Sequence, residues 1–210
     1  MKPTDKGMKQ GFIPGPLFRL ISDGHILKNG LKSSCLMSKY RNIYLTGFRA
    51  CGKTTLAKII SSSYGLAFLD TDQRLQQECG LSIEGIVDRY GWEYFRHMEE
   101  KILADTVLAQ GLVVATGGGI VLRESNRAVL KDDKFLTVYL RADSELIAGR
   151  LKADPNPAQR PPLTSLSMEA EIKKNMEQRE PFYRICADLI LEAHQTEQEL
   201  AAQVMEFVFA

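Results

Sequence analysis

The chain has 210 residues, of which 44% are hydrophobic and 25% are charged, and its formal net charge is +1 at pH 7. This balance is typical of one globular domain and argues against nucleic acid or a membrane surface as a bulk partner. No apolar run approaches the roughly 18 residues of a membrane span. The scattered cysteines lack the spacing of a zinc site or a disulfide framework, so we expect a cytoplasmic protein.

Residues 1–39 differ from the rest of the chain. They are rich in lysine, and their acidic residues are Asp5 and Asp23 alone. We expect them to form a basic, disordered extension ahead of a domain at residues 40–210. Two alternatives remain open, namely a transit peptide and a translation start at Met37.

A phosphate-binding loop is predicted just inside that domain. The apolar run Asn42–Thr46 predicts a buried strand, and helical composition begins at Thr55. Between them, the residues from Gly47 to Thr54 read GFRACGKT, which fits the pattern G-x-x-x-x-G-K-[ST]. Such a loop surrounds phosphate oxygens with backbone N–H groups, while Lys53 reaches the β- and γ-phosphates and Thr54 binds Mg²⁺. The alternative, a chance glycine-rich turn, is disfavoured by the strand and helix on its two sides.

The remaining chain alternates between predicted strands and predicted helices. The strands are predicted at residues 67–70, 112–115, 135–140 and 188–191. The helices are predicted at residues 73–79, from 82 to a stop near 91, and at 92–109, 124–130, 144–151, 168–184 and 197–207. This order predicts an α/β fold, a five-stranded parallel sheet with helices on both faces. Residues 152–167 contain Pro155, Pro157, Pro161 and Pro162 and predict a loop.

Acidic and glycine residues follow two of these strands. Asp70 and Asp72 end the second strand, and the triple glycine Gly117–Gly119 follows the third. The carboxyl ends of parallel strands share one edge of the sheet, where ligands of such folds bind. We therefore expect these residues to meet the phosphate loop in one crevice, although either aspartate could also simply cap the next helix.

The motifs together resemble one enzyme family. They are Gly47–Thr55, Phe68–Asp72, Phe95–Glu99 and Thr116–Gly119, followed by Arg160–Leu163 and Arg179–Tyr183. From about residue 41 to residue 192 the chain is similar to the shikimate kinases. The resemblance implies a P-loop kinase fold with a mobile lid, here at about residues 152–167. It also implies that the protein phosphorylates the 3-hydroxyl of shikimate with ATP and requires Mg²⁺. Members of this family are usually monomers, so we expect a monomer.

The resemblance further implies roles for individual residues. Catalysis would involve Asp72 as proton acceptor, together with Lys53 and the lid residue Arg160. Thr54 and Asp70 would hold Mg²⁺. Shikimate would be bound by Asp72, Arg96, Gly118 and Arg179, and the two arginines would bind its carboxylate. ATP would be bound by Ala50, Cys51, Gly52, Lys53, Thr54, Thr55, Arg150 and Arg160.

Several alternatives and departures remain. Arg96 could instead form a surface ion pair with Glu100, and Arg179 could belong to a solvated helix face. The family usually has glycine where Ala50 stands, and the lid sequence also departs from the commoner pattern. Another small-molecule kinase, such as a gluconate kinase, and a non-catalytic binding relative are the alternative functions.

Overall fold

A computed structural model describes residues 39–153 and 167–210. The predicted extension except Lys39, most of the predicted lid, and Arg160 therefore lie outside the described residues. The predictions about an extension, a transit peptide and a lid stay predictions.

The described residues alternate between strands and helices, as predicted. The strands are β1 (Asn42–Thr46), β2 (Ala67–Asp70), β3 (Leu112–Ala115), β4 (Phe135–Arg141) and β5 (Leu189–Glu192). The helices are α1 (Lys53–Tyr64), α2 (Thr71–Cys79), α3 (Ile83–Thr106), α4 (Glu124–Leu130), α5 (Ser144–Lys152), α6 (Met168–Cys186) and α7 (Glu197–Phe209), with a short 3₁₀ turn at Ile120–Leu122.

The five strands form one parallel sheet in the order β2-β3-β1-β4-β5. Strand β1 lies in the centre, which explains why every residue in its apolar run is buried. From β1 the chain goes first to the edge strand β2, returns to β3 between β2 and β1, and then crosses to β4 and β5 on the other side, so the strand order reverses beside β1. Ligands of α/β sheets bind where the order reverses, at the carboxyl ends of the strands. The loops after β1 and β3 lie at that point.

The two faces of the sheet carry separate cores. Alternate residues of β1 divide between them, with Ile43 and Leu45 in the core beneath α1 and α7, and Tyr44 in the core beneath α3 and α6. Successive side chains of a strand point to opposite faces, so this division follows from the period of two. The predicted α/β fold with helices on both faces is confirmed.

Two helix boundaries differ instructively from the prediction. Helix α3 spans both of the helices predicted here, but Gly91 has φ 81° and breaks the helical path, so the predicted stop near residue 91 is a kink. The second half ends at Thr106 rather than at residue 109, where the Thr106 hydroxyl donates to Leu103 O at 2.6 Å. Apolar periodicity continues past this point, but Asn42 Nδ2 of β1 donates to Thr106 O at 3.0 Å and to Ala109 O at 3.2 Å, so carbonyl groups at the end of the helix have a partner outside it. In the part of the chain that the structure describes, no helix is both long and apolar enough to cross a membrane.

Candidate active site

The loop between β1 and α1 has the backbone geometry of a phosphate cradle. Gly47 and Gly52 have positive φ angles of 137° and 109°, which L-residues rarely adopt. A Cβ at Gly47 would lie 2.5 Å from Leu140 O, so the loop also fits closely against β4. Lys53 is 7% exposed, and its Nζ donates to Gly47 O at 2.9 Å and to Phe48 O at 2.7 Å. The predicted phosphate-binding lysine thus lies inside the curve of its own loop.

Ala50 is the strained residue of this loop. Its φ of 63° makes it the one non-glycine residue with positive φ among residues 39–153 and 167–210. In the left-handed region an L-residue brings its Cβ close to the following carbonyl, at a cost of about 1–2 kcal/mol. The geometry therefore favours glycine at this position.

Thr54 and Asp70, the predicted metal ligands, are in contact. The Thr54 hydroxyl donates to Asp70 Oδ2 at 2.7 Å. The other oxygen, Asp70 Oδ1, accepts from the backbone N–H groups of Asp72 at 3.0 Å and Gln73 at 3.1 Å. Asp70 is therefore the cap of α2, as one interpretation of the sequence predicts, and it also contacts the phosphate loop through Thr54, while its role in binding Mg²⁺ stays a prediction. Because the cap fixes Oδ1, Oδ2 is held toward Thr54.

Asp72 is half-buried and lies beside Glu99, a buried acid on α3. A Cβ added to Gly117 would come within 2.5 Å of Asp72 Oδ1 and 2.7 Å of Glu99 Oε1, so both carboxylates press against the same backbone. Among the described residues neither of these two oxygens has a hydrogen-bond partner. The Gly117 N–H donates to the Thr71 hydroxyl at 2.9 Å, which holds this loop against the start of α2.

The pKa values of these two acids are raised. Burial, followed by the charges of Glu99 and Asp70, raises the pKa of Asp72 from 3.8 to about 7, against the opposing effect of Lys53 and Arg96. Burial also raises the pKa of Glu99, with the Arg96 charge opposing it. A carboxylate with a pKa near neutrality can accept a proton at neutral pH far more readily than an ordinary aspartate.

Arg96 is held by Glu99 and by two aromatic rings. Its guanidinium forms a hydrogen-bonded ion pair with Glu99, and its centre lies 5.3 Å from the ring centroids of both Trp92 and Phe95. The alternative partner, Glu100, instead lies 4.0 Å from Arg123. The surface ion pair with Glu100 is therefore a wrong interpretation of Arg96. A Cβ on Gly119 would lie 2.0 Å from Arg96 Nη1, so only glycine lets the guanidinium reach this place.

Arg179 is also buried, with 7% of its surface exposed, so the solvated-face alternative is wrong. Its Nη1 donates to Gly118 O at 3.2 Å, and its Nη2 donates to Asn175 Oδ1 at 3.2 Å. The guanidinium also lies 5.5 Å from the ring centroid of Phe48 in the phosphate loop. Burial lowers the pKa of Arg179, but an arginine keeps its charge under any ordinary condition.

The loops after β1 and β3 touch each other. A Cβ on Gly118 would lie 3.1 Å from Arg49 N, so the backbone of the triple glycine packs directly on the phosphate loop. The structure thus brings together the phosphate loop, Asp70 and Asp72, the triple glycine, Arg96 and Arg179, as the sequence predicts. The site at the reversal point of the sheet combines a cradle for phosphates, a carboxylate of raised pKa, the half-buried guanidinium group of Arg96 and the buried one of Arg179.

Of the predicted nucleotide-binding residues that follow the loop, Arg150 contacts the loop and Thr55 is exposed. Arg150 on α5 donates to Ala50 O at 3.2 Å and Cys51 O at 2.9 Å, and also to Ala193 O at 3.1 Å after β5. It therefore joins the phosphate loop to the segment after β5. Thr55 is exposed in the first turn of α1, while Arg160 lies outside the described residues.

Sequence reasoning missed several polar residues of this site. The main ones are Glu99, Asn175 and Tyr183, whose hydroxyl donates to Gly118 O. A signal was present, because Glu99 falls between Phe95 and Ile102 on the apolar face of a helix. Among the described residues no group of three His, Cys, Asp or Glu side chains could hold a metal ion, so a cation here would depend on bound phosphates and water as well.

Comparisons with known proteins agree with this geometry. The sequence profile of the family described as shikimate kinase matches residues 49–209. The chain is 38% identical over 168 residues to shikimate kinase 2 of Yersinia enterocolitica, covering 80% of this chain and 95% of that protein. It is 40% identical over 151 residues to shikimate kinase 2 of Escherichia fergusonii, covering 72% and 82%. Its fold is similar to a shikimate kinase from Acinetobacter baumannii in complex with shikimate, with a TM-score of 0.76, 30% identity and coverage of 84% and 97%.

Proposed function

Because the chain belongs to the shikimate kinase family, we propose that it transfers the γ-phosphoryl group of ATP to the 3-hydroxyl of shikimate. The products are ADP and shikimate 3-phosphate, which places the reaction in aromatic amino-acid biosynthesis. One observation carries the assignment of the site. The Asp72 carboxylate, whose pKa is raised, interacts electrostatically with Lys53 of the phosphate loop and with Arg96, and it lies beside Glu99, the acid that pairs with Arg96.

The acceptor is bound by its carboxylate. Arg96 and Arg179 supply planar guanidinium groups, which match a carboxylate through paired hydrogen bonds where a lysine offers only a point charge. Hydrogen bonds within the protein hold both guanidinium groups in place. Glu99 holds Arg96, and Asn175 and Gly118 O hold Arg179. Fixing the guanidinium groups before binding lowers the entropy that the complex must lose. The carboxylate therefore sets the orientation in which the 3-hydroxyl faces the nucleotide.

Asp72 accepts the proton in the transfer step. The 3-hydroxyl oxygen forms a bond to the γ-phosphorus as the bond from that phosphorus to the ADP oxygen breaks, and the hydroxyl proton passes to the Asp72 carboxylate. The raised pKa of Asp72, about 7, suits this task at neutral pH. Phosphoryl transfer needs little basic strength, so the larger effect of Asp72 is to orient the hydroxyl.

The nucleotide is held by the loop and its surroundings. Backbone N–H groups from Ala50 to Thr55 surround the phosphates, and Lys53 leaves the carbonyl groups of Gly47 and Phe48 to bind the β- and γ-phosphates. Arg150 would bind near the base, and its bonds to the phosphate loop and to Ala193 O after β5 support this role. Arg160, from the predicted lid, is expected to close over the transferred group and stabilise its charge.

Thr54 and Asp70 fit Mg²⁺. Both present oxygen atoms, the donors that this ion prefers, and the 2.7 Å contact holds them side by side at the start of α1. The helix cap leaves Asp70 Oδ2 as the oxygen that faces Thr54. When bound, Mg²⁺ would neutralise charge on the β- and γ-phosphates. We also propose that the protein acts as a cytoplasmic monomer.

A coupled assay of ADP release tests the proposal. With ATP and Mg²⁺ present, ADP release should depend on shikimate, and gluconate at the same concentration should give only the background rate of ATP hydrolysis. The variant Lys53→Met should reduce the shikimate-dependent rate to background, because the β- and γ-phosphates lose their cation. Turnover with gluconate but not with shikimate would establish the alternative kinase, and absence of turnover with both would indicate a binding relative.

A further inference from the structure

Helix α6 carries a row of polar side chains at every fourth residue. The row consists of Glu171, Asn175, Arg179 and Tyr183, which share one face of the helix because of their spacing. Their exposed fractions are 2%, 9%, 7% and 1%. Buried polar groups need hydrogen-bond partners, so the partners of this row show what it holds in place.

The partners connect the two halves of the active site. Glu171 Oε1 accepts from Arg49 of the phosphate loop at 2.5 Å. At the other end, Arg179 and Tyr183 both donate to Gly118 O of the triple glycine. Asn175 lies between them in the row. Both of its hydrogen bonds to described residues are made to other members of the row, Glu171 and Arg179.

The orientation of the Asn175 amide is fixed from both sides. Its Nδ2 donates to Glu171 O at 2.9 Å, and its Oδ1 accepts from Arg179 Nη2 at 3.2 Å. Because the nitrogen is used on the helix carbonyl, the oxygen must face the guanidinium. Leucine would fill a similar volume without offering an acceptor, and aspartate would offer an acceptor with a negative charge.

We propose that Asn175 is a positioning residue that holds the Arg179 guanidinium in the orientation that binds the acceptor's carboxylate. The inference rests on the proposed function, since it concerns the same acceptor. Without Asn175, a long arginine side chain would gain rotamer freedom that it must lose again when the acceptor binds. Its neutral amide fixes Arg179 without neutralising the charge that the carboxylate needs.

The test compares Asn175→Leu with the parent protein in steady-state kinetics. The KM for shikimate should rise about 10- to 150-fold, as expected for losing a hydrogen bond to a charged group. The kcat and the KM for ATP should stay within about twofold, because Asn175 touches neither the reacting atoms nor the phosphate loop. Thr137→Val is the matched control, since it removes another buried hydrogen bond, from the Thr137 hydroxyl to Leu130 O, and should leave the KM for shikimate unchanged.

An uncharged analogue of the acceptor distinguishes a loss of Arg179 positioning from general damage to the binding site. Inhibition by the carboxamide of shikimate, which lacks the negative charge, should be equal for Asn175→Leu and the parent. In a protein that already carries Arg179→Ala, adding Asn175→Leu should cause little further loss of affinity for shikimate. If Asn175→Leu fails to fold, Asn175→Asp serves instead, because its carboxylate would compete with that of shikimate for Arg179 and weaken shikimate but not the carboxamide.

Two results overturn the inference. One is an unchanged KM for shikimate in the variant that folds, and the other is an equal loss of affinity for shikimate and for its carboxamide. A parent protein without shikimate-dependent turnover would instead overturn the proposed function, so the two failures are distinct.

Discussion

Replacing Asp72 by asparagine should make the protein more stable while removing most of its activity. At neutral pH the folded protein must keep a carboxylate ionised in a buried place beside Glu99 and Asp70. The difference between the ordinary pKa of 3.8 and about 7, at about 1.36 kcal/mol for each pH unit, sets an upper value of about 4 kcal/mol for this cost. We expect a gain of about 1–3 kcal/mol, since buried sites relax around a charge.

The stability difference between Asp72→Asn and the parent should depend on pH, and its direction follows from the raised pKa. Between about pH 4 and pH 7 the folded parent keeps a proton on Asp72 that the unfolded chain has lost, so this residue contributes less stability as pH rises. The advantage of Asp72→Asn should therefore be about 40% as large at pH 5 as at pH 7.5. Each kcal/mol corresponds to about 2–4 °C in the unfolding temperature of a chain of this size. The amide also offers a donor to Glu99 Oε1, which has no partner among the described residues.

Thermal unfolding of the parent and variant at these two pH values is the assay. Asp88→Asn is the control, because Asp88 is exposed on α3 and its replacement removes the same formal charge. The kcat of Asp72→Asn should fall by about 10²–10⁴-fold, with ATP binding nearly intact. A variant no more stable than the parent at pH 7.5, or one whose advantage is the same at pH 5, would refute the argument that burial and like charge raise the pKa of Asp72.

Three other predictions follow from the same site. Ala50→Gly should raise the free energy of unfolding by about 0.5–1 kcal/mol in urea titrations, since it relieves the positive φ of 63°; a loss of stability would contradict the strain. Arg96→Ala should weaken shikimate binding by about 2–5 kcal/mol in calorimetry, whereas Arg123→Ala, which removes a half-exposed ion pair, should not; equal effects would show that the acceptor lies elsewhere. The kcat/KM for shikimate should fall tenfold per pH unit below about pH 7, as Asp72 gains its proton; a flat profile down to pH 5 would exclude it as the acceptor of the proton.

The fold could be predicted from the sequence because its signals are local. Strand β1 is an uninterrupted apolar run, and Gly65, Gly80 and Gly111 adopt positive φ just after a helix or before a strand, where the chain must turn. The ends of elements were harder to predict. At the end of α3 the Thr106 hydroxyl contacts the Tyr44 hydroxyl, 62 positions away in the chain, and no periodicity reports that contact.

The site could be predicted where motifs fix residue types at fixed spacing, as in the phosphate loop and at Asp70 and Asp72. Glu99 and Asn175 are different, because their roles depend on which side chain faces them across the fold. Glu99 lies on a helix face otherwise made of apolar residues, whereas Asn175 lies in a row of polar residues at every fourth position of α6. A polar residue on an apolar stripe is the signal that sequence reasoning could have used.

The central claim, that this site phosphorylates shikimate at one hydroxyl, is tested most directly by the structure of the product. Phosphorus NMR of a reaction containing ATP, Mg²⁺ and shikimate should show one phosphomonoester, coupled to the proton at carbon 3, formed in equal amount with ADP. Phosphate on another hydroxyl, or ADP formed with inorganic phosphate alone, would contradict the account of how Asp72, Arg96 and Arg179 orient the acceptor.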